Sequence, residues 1–101
     1  MIGVKPGNFA MPREYRIVVS GTVQGVFFRA KTKEHADRLG IKGTVRNLKS
    51  GQVEICVVGT EEEAKLLLAA MEKEPPPIEI SLIEMTDSPA KHSCSDFRVI
   101  H

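Results

Sequence analysis

An α+β sandwich, with four to five strands in an antiparallel sheet and two helices on one face, is the fold class this chain predicts. Three observations carry that expectation. Apolar residues switch between a period of two and a period of 3.6 in the order strand, helix, hairpin, helix, strand. A glycine-rich stretch, residues 20–29, marks the first switch, and Pro75, Pro76 and Pro77 break the second helical run. Two strand-helix-strand units in this βαββαβ order make a ferredoxin-like sandwich.

Each element has its own signal. Residues 1–13 carry Gly3, Pro6, Gly7 and Pro12 and hold neither period, so they read as a flexible N-terminal tail, with the domain at 14–101. Met11, just before the first structured run, is an alternative start. Residues 15–19 put Tyr15, Ile17 and Val19 on one face and Arg16 and Val18 on the other, as in a strand buried on one side. Phe28, Thr32, Ala36 and Leu39 recur at helical spacing, and Gly40 supplies the stop. Residues 41–47 and 52–58 flank Leu48-Lys49-Ser50-Gly51 and read as a hairpin. In its second strand Val53, Ile55 and Val57 share a face opposite Glu54 and Cys56. Thr60-Glu61-Glu62-Glu63 is a capping box with an acidic first turn, and Ala64, Leu67, Leu68 and Met71 continue it as an amphipathic stripe. After the prolines, Ile78, Ile80 and Leu82 alternate with Glu79 and Ser81 as a strand. A polar loop over 87–95 then leads to a last short run, 97–100, as a candidate fifth strand.

The first switch is also where chemistry is expected. Residues 20–29 read S-G-T-V-Q-G-V-F-F-R, with Gly21 and Gly25 bracketing a strand-to-helix turn. Such a turn lets backbone N–H groups converge, and the helix start adds free donors and a partial positive charge. That combination binds anions, most often phosphate. Arg29 falls in the first helical turn, where the dipole prefers an acidic side chain; a bound anion between it and the amides accounts for the arginine. A tight turn with a solvated arginine is the plainer account. Asn47 closes the first hairpin strand on the pleat face of Val45, toward the helices. Its carbonyl can orient a water while its NH₂ donates to an anion, although asparagine also commonly starts turns.

Composition narrows the function classes. One hundred and one residues make one small domain, and no segment is long and apolar enough for a membrane span. A net charge of +1 lacks the basic footprint of a nucleic-acid binder. An RNA-reading sheet also needs exposed aromatics, and the only one nearby, Tyr15, is on the core face. Cys56 and Cys94 have no metal-like spacing and read as free thiols of a reducing compartment. Gly3, Pro6, Gly7 and Asn8 interrupt any signal-peptide core, so the expected location is cytoplasmic. His35, His92 and His101 share no ligand spacing, and no metal site is expected.

Taken together, S-G-T-V-Q-G-V-F-F-R and the later G-T-V-R-N-L-K-S-G-Q-V-E resemble the paired signature of the acylphosphatase family. The resemblance implies a cofactor-free and metal-free hydrolase that cleaves the carboxyl-phosphate bond of small-molecule acyl phosphates, and a monomer is the expected state of the chain. It implies that the amides of Gln24, Gly25, Val26, Phe27, Phe28 and Arg29 cradle the phosphate, that Arg29 binds it, and that Asn47 positions the attacking water. Three positions depart from the family pattern: Thr44 replaces a bulky aromatic, Leu48 a small hydroxyl residue, and His101 a tyrosine. They threaten rate and stability more than activity. A non-enzymatic phosphate-binding module of the same fold is the alternative, and Asn47 discriminates, since a pure sensor has no evident need for its amide.

Overall fold

The computed structural model describes residues 12–91 and 93–101. Its elements are β1 (Arg13–Thr22), α1 (Phe28–Leu39), β2 (Lys42–Asn47), β3 (Val53–Gly59), α2 (Glu61–Glu72), β4 (Glu79–Pro89) and β5 (Phe97–Ile100). β1 thus begins at Arg13, the last residue assigned to the tail. The rest of that tail apart from Pro12, the alternative start at Met11, and His92 lie outside the described residues. The expected polar loop starts three residues later than its sequence suggests, because Asp87, Ser88 and Pro89 continue β4.

Five strands form one sheet in the order β4-β1-β3-β2-β5. β1 pairs antiparallel with both β3 and β4, and β2 antiparallel with β3. The expected all-antiparallel sheet is corrected at one edge: β5 runs parallel to β2, with Gly43 opposite Phe97 and Val45 opposite Val99. Chain length explains the direction. β4 ends beside the start of β1, and crossing the four strand spacings to the far edge takes roughly 19 Å. Residues 90–96 reach about 25 Å when extended, enough to cross the end of the sheet but not also to run back along it. β5 therefore enters beside the start of β2.

The core lies between the sheet and the helices. Tyr15, Ile17 and Val19 of β1, Val53, Ile55 and Val57 of β3, and Val45 of β2 bury their side chains against Phe28, Ala36, Ala64, Leu67, Leu68 and Met71. Thr32, buried within this apolar stripe, donates its hydroxyl to the Phe28 carbonyl at 2.8 Å, so its burial leaves no polar atom unsatisfied. One alternation breaks. Ser20 faces Leu82 while Gly21 faces Ile80, so Ser81 is an extra residue in β4. That shift reverses the parity: Ile83 and Met85 turn toward the core, and Leu82, expected beside Ile80, is exposed.

Candidate active site

The two helices start in opposite ways. α2 is capped by Thr60, whose hydroxyl accepts from the Glu63 amide while the Glu63 carboxylate accepts from the Thr60 amide; its first turn holds three glutamates. α1 has no side-chain cap and no acidic residue in its first turn, where Arg29 stands. One start is neutralised by its own residues, and the other presents donors and positive charge.

The loop before α1 has the shape that gathers those donors. Gly25 has φ +76° and Phe27 φ +63°, with Val26 between them on the ordinary side. Backbone that alternates in hand points successive N–H groups toward one concavity. Gly25 meets no atom within 4 Å of where a Cβ would stand, so its requirement for glycine is conformational. Phe27 holds the left-handed conformation at a cost of about 1–2 kcal/mol. Gly21 is not part of this turn. It belongs to β1 at the bulge, where a Cβ would fall 2.1 Å from the Glu79 carbonyl oxygen.

The loop is anchored below and beside. Val23 and Phe28 are each 1% exposed and pin its two ends in the core. The amide of Gln24 donates to the carbonyls of Leu48 and Gln52, both at 2.8 Å, and Gln52 in turn donates to the Ser20 hydroxyl at 2.9 Å. These bonds tie the loop to the β2–β3 turn. At Leu48, where the family pattern has a hydroxyl residue, the backbone carbonyl supplies a tie between turn and loop.

A cleft of about 420 Å³ opens between these parts. Arg29 and Asn47 both line it, together with Gly25, Phe27 and Phe28 of the loop. The tertiary fold therefore brings the two candidate side chains from separate elements to one place. Gln24 and Val26 do not line the cleft with their side chains: Gln24 faces the hairpin turn and Val26 packs on the core. Residues that the sequence reading did not select also contribute. Val99 and His101 form part of the wall, and Arg29 Nη1 donates to the Ile100 carbonyl at 3.2 Å and lies 3.4 Å from His101 Nδ1. Only the parallel placement of β5 reveals them, although the mismatch of His101 with the family pattern marked that position. His35 is engaged elsewhere, between Glu74 at 2.6 Å and Arg38 at 2.8 Å. Thr44, the third departure, is half-buried opposite Cys56 on the helix-free face, away from the cleft.

The cleft is chemically simple. Among its described residues the polar side chains are Arg29, Asn47 and His101, and no aspartate or glutamate lines it. It can hold an anion by amides and a guanidinium fork, and it presents a neutral amide beside that anion.

Comparison with known proteins shows the family. The acylphosphatase family model matches residues 15–99. The acylphosphatase of Rubrobacter xylanophilus is 39% identical over 87 residues, spanning 86% of this chain and 79% of that one. The Pseudomonas aeruginosa acylphosphatase is 45% identical over 71 residues, covering 70% and 78%. The crystal structure of acylphosphatase from Bacillus subtilis superposes with a TM-score of 0.79 at 31% identity, over 88% of this chain and 99% of that one. With fold, signature and relatives in agreement, this chain belongs to the acylphosphatase family and is a hydrolase of acyl phosphates.

Proposed function

We propose that Arg29, the backbone amides of Gln24, Gly25, Val26, Phe27, Phe28 and Arg29, and the side chain of Asn47 carry the hydrolysis. The phosphate of the substrate lies against the loop amides, and the Arg29 guanidinium forks onto its oxygens. Asn47 accepts a hydrogen bond from a water through its carbonyl and aims it at phosphorus. The water oxygen bonds to phosphorus, the phosphorus–oxygen bond to the acyl group breaks, and the carboxylate leaves with the electron pair. A carboxylate is a weak base, so it needs no strong general acid. What remains is in-line placement and stabilisation of charge on the equatorial oxygens, which amides and one arginine supply. The water's proton passes to a phosphate oxygen, and no metal or cofactor takes part.

The observation that carries this reading is that Arg29 of α1 and Asn47 of β2 line one cleft beside a loop of alternating hand. A single chain supplies every group named, which supports a monomer as the working unit. Among the described residues no helix is long and apolar enough to cross a membrane. Cys56 and Cys94 are both free and half-buried, which supports a reducing, cytoplasmic location for the domain at 14–101 and its tail.

The test is hydrolysis of an aryl acyl phosphate with a chelator present, by wild type, Arg29→Ala and Asn47→Ala. Expected is wild-type turnover that collapses in both variants, with Asn47→Ala still binding inorganic phosphate and Arg29→Ala losing it. Retained turnover in Asn47→Ala would reassign the water. Turnover that is lost in His101→Gln would move the proton from phosphate to that imidazole.

A further inference from the structure

Phe27 is 81% exposed, well above Leu66 at 54% and Leu82 at 53%, and it is one of the residues that line the cleft with Arg29 and Asn47. The needs of the backbone do not account for it. Among the described residues Phe27 alone has a positive φ without being glycine. Glycine would hold the same conformation with less strain and expose no ring to water. The cost of both strain and exposure falls on one residue at the mouth of the site. Strained residues of this kind collect where a ligand is bound.

The composition of the cleft says which part of the ligand. Its polar side chains are Arg29, Asn47 and His101; Phe27, Ala30 and Val99 are its accessible apolar residues, since Val23 and Phe28 are each 1% exposed. A phosphate held by the amides and Arg29 uses the polar groups, which leaves apolar wall for the acyl half. No lysine lines the cleft to pair with a carboxylate on that half. We propose that Phe27 is a specificity-determining residue whose ring is the platform for the acyl group, so that the enzyme favours acyl phosphates with a flat aromatic or bulky apolar acyl group over small ones. The inference rests on the phosphate lying against Arg29 and the loop amides.

The experiment compares kcat/KM for benzoyl phosphate and acetyl phosphate in wild type, Phe27→Ala, Phe27→Gly and Phe27→Trp. The quantity read is the ratio of the two values, which does not depend on the fraction of protein that is folded. Expected is a wild-type ratio that favours benzoyl phosphate. It falls about three- to tenfold in Phe27→Ala, the range of a lost aromatic contact, with the change in KM for benzoyl phosphate. Phe27→Gly, which keeps the loop conformation, loses the preference equally, and Phe27→Trp restores it. An unchanged ratio in Phe27→Ala and Phe27→Gly overturns the proposal. Wild-type turnover that persists in Arg29→Ala overturns instead the placement of the phosphate on which it rests, so the two failures are distinct.

Discussion

Gln24 and Gln52 are joined across the base of the site: the Gln24 amide donates at 2.8 Å to the Gln52 carbonyl and at 2.8 Å to that of Leu48, the residue after Asn47. One side chain therefore ties the loop before α1 to the strand end that bears Asn47. Replacing Gln24 by Ala leaves two half-buried carbonyls without this donor and frees the loop from the turn. The expected cost is about 1–2 kcal/mol of stability, with a fall of about tenfold or more in kcat from misplacement of the water. Urea unfolding and steady-state kinetics read the two effects. Gln24→Glu does worse than Ala, because a carboxylate would face two carbonyl oxygens.

Gly25→Ala tests the loop conformation without a steric complication, since nothing lies within 4 Å of the added Cβ. Only the φ of +76° opposes it. Stability falls by about 1 kcal/mol, and inorganic phosphate binds more weakly as the amides rotate away from their common concavity. Phosphate-dependent thermal shifts measure this directly, because a ligand specific to the native state raises its midpoint with the logarithm of ligand concentration over Kd.

On the helix-free face, Glu54 of β3 accepts from Arg16 of β1 and from Arg46 of β2, the latter at 2.8 Å. Burial opposes ionisation of Glu54, but the hydrogen bonds from Arg46 and Arg16 and their charges outweigh it and hold the carboxyl below its ordinary 4.5. A group depressed in the folded state contributes stability in full above its unfolded value and loses it as pH falls through the folded one. Unfolding free energy of wild type therefore drops with acidification below about pH 4.5. Glu54→Gln flattens that part of the curve and costs about 1 kcal/mol at pH 7, a modest figure because both arginines are half exposed. Denaturant titrations between pH 7 and pH 3 decide it.

Cys56 behaves as an inert thiol. Burial, then its 3.0 Å hydrogen bond to the Glu14 carboxylate and the negative charges of Glu14 and Glu54, push its pKa up to about 12. Thiolate is the reactive form, so a Cys94→Ser variant alkylates very slowly at pH 8 while folded and rapidly once unfolded. Fast labelling of the native variant would show that the strand opens locally.

Much of this protein was legible from sequence. The Tyr15, Ile17, Val19 alternation named the buried face of β1, the Thr60–Glu63 box placed the start of α2, and Gly40 closed α1, because each is a local signal carried by adjacent residues. Arg29 and Asn47 were readable as candidates for the same reason: each sits at an element boundary with a recognisable local conflict or motif.

Other features were decided only by the tertiary structure. An apolar period of two marks a buried face but says nothing about which strand lies alongside or in which direction, so β5 could be found but not oriented. Its parallel pairing with β2, set by the short crossing over 90–96, is what brings Val99 and His101 to the wall beside Arg29. The bulge between β1 and β4 that turns Leu82 outward is likewise a property of two strands and not of one. Phe27 shows the same division: the motif contains it, but only the left-handed turn at the mouth of the cleft holds its ring in solvent. Local sequence determines which elements form and which face each buries; long-range packing determines what those elements meet, and the cleft is made of such meetings.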